Sequence, residues 1–382
     1  MKALRKIVDK IKPNFHKGGK LQMFRSTFDA FETFLFVPNH VTLKGTHIRD
    51  GIDLKRTMIF VVIALMPTLL FGMYNVGYQH FLSLNQHVGF LENFGFGFLK
   101  VFPIIVVSYV ACLAVEFVSA QITGHTVNEG VLVTGMLIPL VMPPDVPLWM
   151  VAVASVFSII FTKEVFGGTG MNFLNPALVA RAFIFFAYPG DITGEKVWIA
   201  EKMDGFSGAT ALGNATAGQF DKIPDMQTMF YGFMPGSVGE TSKIAIIIGA
   251  IFLIWTGIGS LRIMLSAVAG LLASGYLLNL VDANAYMQLP PFQHLLMGGF
   301  LFGIVFMATD PVSASQTPTG KIIYGFFIGV FTIMVRVVNP AYPEGTMLAI
   351  LLMNVFAPLI DYFVVNSNIK RRLKRAKINV KL

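Results

Sequence analysis

Residues 57–74 read TMIFVVIALMPTLLFGMY, eighteen positions without a charged side chain, and a bilayer core of about 30 Å is crossed by about 20 residues of helix. This run is the first of ten. Further apolar stretches lie near residues 98–119, 131–142, 148–165, 173–188, 244–258, 261–280, 294–309, 322–336 and 346–365. The chain therefore reads as an all-α polytopic membrane protein with about ten transmembrane helices. Composition agrees, because 54% of the 382 residues are apolar and only 13% charged, against about one quarter charged in a soluble domain. A cytosolic enzyme is excluded.

The charges that remain set topology. Of 29 Lys and Arg, 19 fall in residues 1–56 and 370–382, so the +8 formal charge belongs to the tails and does not suggest nucleic-acid binding. By the positive-inside rule both termini are expected in the cytoplasm, and ten spans return a chain to its starting side. No apolar signal region precedes the first span, which is expected to act as the insertion signal itself. The single cysteine, Cys112, permits no internal disulfide and no cysteine-rich metal site, and the seven His have no ligand spacing.

Between Pro189 and Ser242 lies a loop with seven acids and three bases, expected to face outward. It divides the runs into five before and five after. Runs 131–142 and 294–309 are each the third of their half, short and ended by proline, at Pro143-Pro144 and Asp310-Pro311. Each half then carries an Asn-Pro, Asn175-Pro176 and Asn339-Pro340. Matched interruptions with an odd number of spans per half predict two inverted five-helix repeats with a binding region at their interface; the bland alternative is that proline merely ends helices. The expected organisation is a basic and aromatic segment 1–56, a first half 57–188, the loop 189–242, a second half 243–366 and a basic tail 367–382. In the first segment Leu4, Ile7, Val8 and Ile11 share one helical face ringed by Lys and Arg, an interfacial pattern suited to membrane lipid. Five Phe between residues 24 and 36 suit either anchoring or a lipophilic ring such as a quinone.

Few motifs carry chemistry. There is no phosphate-cradling glycine loop after a strand, no zincin histidine pair and no nucleophile triad. Gly167-Gly168-Thr169-Gly170 leads into Asn172 and Asn175, whose surroundings suit either a tight turn or amides held against a polar ring edge. Ionisable groups inside a membrane are functional candidates by default. Here they are Glu129, Asp310 and Asp361, hard oxygen donors suited to Na+, with ion pairing to Lys163, Arg181 or Lys321 as the rival reading. Asp310 follows an apolar run and is expected to close a helix at its negative end, whereas Glu129 suits a helix N-terminus without any cation.

The loop stretch Asp204-Gly205-Phe206-Ser207-Gly208-Ala209-Thr210 resembles the covalent flavin attachment motif of the B subunit of the Na+-translocating NADH:quinone oxidoreductases and of the related D subunit of Rnf complexes. VNEG at 127–130, KEVFGGTGMNFLNPAL at 163–178, ARAFIFFAYP at 180–189 and ATDPVSAS at 308–315 are similar to the same family. The resemblance implies FMN on Thr210 through a phosphoester, set among Asp204, Ser207, Gly208 and Ala209 and installed by a separate flavin transferase. It also implies a non-covalent riboflavin, expected near Gly167, Gly168, Thr169, Asn172 and Asn175, and quinone reduction near the Phe-rich segment and VNEG. The implied activity is that of one member of a six-subunit translocase of the bacterial inner membrane that oxidises NADH, reduces quinone and exports Na+, with NADH and iron sites on other subunits. Two rivals stand beside it, an Rnf-type D subunit and a passive channel of the urea-channel kind. The long basic segment before Met58 favours the first reading.

Overall fold

The structure, a computed structural model, describes residues 2–15, 54–123, 127, 130–168, 170–203, 205–339 and 344–379, with single positions between 19 and 46. All regular elements among these residues are helical. An amphipathic α1 (Lys2–Ile11) leads; near it Arg5 lies over the Phe36 ring at 4.9 Å and Lys12 pairs with Glu32 at 2.7 Å.

The first half comprises α2 (Leu54–Ser83), α3 (Phe90–Thr123), α4 (Gly130–Val141), α5 (Leu148–Thr162) and α6 (Pro176–Ala187). The loop contributes short α7 (Ala211–Thr216) and α8 (Met226–Tyr231). The second half comprises α9 (Lys243–Trp255), α10 (Leu261–Val281), α11 (Pro291–Leu296), α12 (Phe300–Phe302) running into a π-helical turn Gly303–Met307, then α13 (Pro318–Val338) and α14 (Thr346–Asn379).

The apolar runs differ in length, as the short, proline-ended third run of each half implies. Among the described residues six helices are long and apolar enough to cross a membrane, whereas α4, α6 and α9 are shorter and apolar, and the 294–309 run is broken between α11 and the π turn. At 1.5 Å per residue, the 12 residues of α4 or α6 rise about 18 Å, well short of a 30 Å core. An apolar run in the sequence does not distinguish a span from a half-span whose end is buried in protein.

A helix that stops inside a membrane leaves carbonyls without partners, which only protein can satisfy there. At the end of α4, Gly239 N donates to Leu140 O at 2.7 Å, Val238 N to Met142 O at 3.2 Å, and the Arg181 guanidinium to Val141 O. The end of α11 is treated the same way. Fully buried Arg336 donates to His294 O at 2.5 Å and Met297 O at 3.1 Å, and Lys243 to Gly298 O at 3.2 Å. Each half thus closes its interrupted third segment with an arginine from a later helix.

Packing repeats in order. In each half the second segment lies on the fourth (α3 on α5, α10 on α13) and the fourth on the fifth (α5 on α6, α13 on α14), while α2 with α9 and α6 with α14 join the halves. Small residues bring the backbones together, as is usual between membrane helices. A Cβ on Gly97 of α3 would lie 1.7 Å from Met73 O of α2, and one on Gly270 of α10 would lie 2.0 Å from Phe326 O of α13. Gly97→Val is therefore expected to lower the stability of the detergent-solubilised chain by about 3 kcal/mol, read as a fall in its thermal midpoint. Leu99→Val, at an outward-facing position 70% exposed, is the control and should leave the midpoint in place.

Candidate functional site

The loop is pinned to the membrane helices. Asn75 donates to Met234 O at 3.0 Å, Lys100 meets Glu201 at 2.5 Å, and the His80 ring Nδ1 lies 2.9 Å from Ala200 O. A carbonyl only accepts, so that nitrogen carries the proton. Lys100 also holds the Glu201 carboxyl below the usual carboxylate range.

On this base sits Thr210. It is the N-cap of α7, in extended conformation, and its Oγ1 accepts from Gly213 N at 3.1 Å. Ser207 donates to Glu195 Oε2 at 3.1 Å. Gly208 is buried against Glu195 O, where a Cβ would approach to 2.5 Å, so no other residue fits this turn without moving the loop at Glu195. Half-buried Thr210 opens into a cavity of about 190 Å³ walled by Phe185, Ile192, Trp198, Ala209 and Asn214, with Arg181 and Glu344 on its floor. A smaller cleft on the other side of Thr210 is lined by Ser237, Glu240, Thr241 and again Glu344.

The floor is a charge network. Arg181, in the middle of α6, donates through Nη1 to Ser237 Oγ at 3.0 Å and Glu240 Oε1 at 3.2 Å, and through Nη2 to Glu344 Oε1 at 2.5 Å. Burial pushes the Glu240 carboxyl above the usual carboxylate range, against the opposing pull of Arg181. Gly299 allows this carboxylate its place, since a Cβ there would sit 2.4 Å from Glu240 Oε1.

A second cavity, of about 90 Å³, lies at the opposite end of α6. Its walls bring together Asn172, Asn175, Asp310, Lys163, Thr134 and Thr309 with the start of α2 at Thr57 and of α4 at Gly130. Asn175 caps α6, accepting from Ala177 N at 3.0 Å and Leu178 N at 3.4 Å. The π turn borders the same space, and the Val305 carbonyl is taken up by the Thr309 hydroxyl at 2.6 Å; such turns are frequent at functional sites.

Of the sequence candidates, Asn172, Asn175 and Asp310 converge here. Gly167 and Gly168 do not line the cavity. They shape the turn after α5, both with positive φ, and their amides are spent on Glu164 O at 3.1 Å and Lys163 O at 3.0 Å. Glu129, Thr169 and Asp204 lie outside the described residues. Asp310 does not close a helix at its negative end, as its position after an apolar run suggests; it opens the next turn, accepting from Ser313 Oγ at 2.6 Å and Ser313 N at 3.2 Å. Two of the cations expected to pair with it are engaged elsewhere, Lys163 by Glu116 and Arg181 by Glu240 and Glu344. Asp361 of α14 ties down the start of α13, accepting from Ser315 Oγ at 2.7 Å, Gln316 N at 2.7 Å, Thr317 N at 2.9 Å and Thr317 Oγ1 at 2.6 Å.

Sequence reasoning missed Glu240, Glu344 and Ser237. The signal was Arg181 itself, because a guanidinium inside an apolar run requires carboxylates from elsewhere in the chain, although nothing local says which.

Long apolar helices interleaved with short ones whose ends are capped by protein, and a polar cavity at each end of α6, define a polytopic membrane protein. The particular family follows from comparison. The pattern of the NQR2, RnfD, RnfE family matches residues 41–370, and the chain belongs to this family. It is 45% identical over 399 residues to the B subunit of the Na(+)-translocating NADH-quinone reductase of Chromohalobacter salexigens, covering 98% of this chain and 97% of that one. It is 46% identical over 402 residues to the corresponding protein of Pseudomonas aeruginosa, covering 98% and 99%. For Azotobacter vinelandii the identity is 45% over 402 residues, with coverage of 98% and 99%.

Proposed function

We propose that this chain is the flavin-carrying membrane subunit of a redox-driven Na+ pump that oxidises NADH, reduces quinone and exports Na+ from a bacterial cytoplasm. Membership of the family and identity with the B subunits along nearly the whole chain support a place in a Na+-translocating NADH:quinone oxidoreductase, working with the other subunits of that complex. The same near-complete match favours it over an Rnf-type D subunit.

The observation that carries the flavin assignment is the Thr210 hydroxyl at the wall of the larger cavity. As a capping group it accepts from Gly213 N, so the cap does not need its O–H proton, which would be lost as the Oγ1–P bond forms and a P–O–P bond of a flavin dinucleotide donor breaks, the other nucleotide leaving with its phosphate. Trp198, Phe185 and Ile192 offer apolar walls for a flat ring, and the neighbouring Gly208-Ala209 leave the hydroxyl open to a transferase. FMN bound there supplies electron transfer chemistry, and the protein supplies placement.

For riboflavin the second cavity is the candidate, with Asn172 as a polar contact, and at about 90 Å³ it would have to widen to admit the ring. From Asn175 to Arg181 α6 rises about 9 Å, so one rigid helix would set the spacing between the two cofactor sites. The loop would face the periplasm and both basic termini the cytoplasm. Asp310, its carboxylate on the wall of the second cavity, is the first choice for a Na+ ligand. Asp310→Asn is expected to raise the Na+ concentration for half-maximal quinone reductase activity by about tenfold, the scale of one lost charge-assisted contact, while covalent flavin content stays at the parent level. Asp361→Asn, which loosens the start of α13, should act more weakly; an unchanged Na+ response in Asp310→Asn removes that carboxylate from the path.

A further inference from the structure

Arg181 is placed to do more than cap α4. Its guanidinium has two differently supported edges. Nη1 is fixed from behind by Val141 O, Ser237 Oγ and Glu240 Oε1. Nη2 reaches the floor of the Thr210 cavity and donates there to Glu344 Oε1 at 2.5 Å. The two carboxylates differ as well. Glu240 is held on the inner side against Gly299, whereas the Glu344 side chain is twice as exposed, 20% against 10%, and lies on the wall of both spaces flanking Thr210.

From this arrangement we infer that Arg181 is the group that holds the anionic ester carried by Thr210, and that Glu344 is a placeholder carboxylate which yields its position on Nη2 to that anion. This rests on the reading that Thr210 carries a flavin phosphoester. An arginine edge that binds a carboxylate binds a phosphate oxygen by the same kind of charge-assisted hydrogen bond. Glu344 occupies the anion position in the unmodified chain and keeps the guanidinium compensated, which a buried charge requires. One buried cation thus serves two states, and the inner bonds keep its orientation the same in both. A second feature of the site agrees. Among the described residues Thr241 Oγ1 is buried without a hydrogen-bond partner, and Thr241 lines the cleft beside Thr210, a hydroxyl donor available to another ester oxygen.

The test uses the full chain co-expressed with a flavin transferase, in three variants. Intact mass gives the fraction labelled, and fluorescence anisotropy of the attached flavin gives how firmly it is held. Arg181→Lys keeps the charge but loses the fork; the label should remain while anisotropy falls. Arg181→Gln removes the charge and should slow labelling by about tenfold. Glu344→Gln removes the competitor and should move both readouts the other way, to faster labelling and higher anisotropy. This opposition of sign is what a purely structural Arg181–Glu344 pair would not give, since breaking it from either side would loosen the loop alike. Equal labelling and anisotropy in all variants, or losses of the same sign in Arg181→Lys and Glu344→Gln, overturns the inference. A parent chain that lacks the added mass overturns the reading of Thr210 as well, and so is told apart from a failure of Arg181 alone.

Discussion

Thr210→Val is expected to abolish covalent flavin, leaving a denaturing gel of the purified chain dark where the parent band fluoresces, and leaving the tryptic peptide at its unmodified mass. The side chain has two jobs in the structure, and three substitutions separate them. Its Oγ1 caps α7 through Gly213 N, a contact worth about 1 kcal/mol at a helix start. Its hydroxyl is also the proposed site of the ester. Valine keeps the shape and loses both. Asparagine is as good a cap as threonine but has no hydroxyl, so Thr210→Asn should be dark with its loop stability retained. Serine keeps both groups, so Thr210→Ser should fluoresce. A fluorescent Thr210→Asn band would move the attachment to Ser207 or elsewhere, and a dark parent band from material co-expressed with a flavin transferase would overturn the flavin reading of Thr210 while the family membership stands.

The all-helical membrane class was legible because hydrophobic runs and charge counts are properties of segments, and segments are what a one-dimensional string records. The shortness of run 131–142 was legible too, but that of α6 within 173–188 was not, nor were the partners that cap α4, Val238 and Gly239. Those partners lie about a hundred residues away. Thr210, Asn172, Asn175 and Asp310 each stand out in the string, but that the last three share one cavity depends on α6 and the π turn meeting there. Asp310 also shows how a local rule misleads. A carboxylate after an apolar helix reads as sitting at a negative helix end, yet the chain turns there, and the acid caps Val312 and Ser313 instead. The Arg181 network was the least legible part, because it draws on α6, the loop and Glu344 together.

The ion pair of Glu116 and Lys163 gives the second large effect. Glu116 projects from α3 and Lys163 ends α5; their side chains are 6% and 4% exposed and in direct contact. Breaking such a pair from one side leaves an uncompensated charge in a low-dielectric interior and costs about 3–5 kcal/mol, whereas replacing both members by apolar groups of similar size is often neutral. Lys163→Met alone should therefore lower the thermal midpoint sharply or abolish membrane accumulation, and Glu116→Leu combined with Lys163→Met should restore it. A single variant as stable as the parent would mean that the pair carries no such burden. The double variant also separates fold from transport. Lys163 lines the same cavity as Asp310, but its ammonium is committed to Glu116, so the stable double variant should keep the parent Na+ dependence while Asp310→Asn shifts it to higher Na+. A double variant that accumulates normally but no longer responds to Na+ would instead put Lys163 on the ion path, with Glu116 as the carboxylate that moves it.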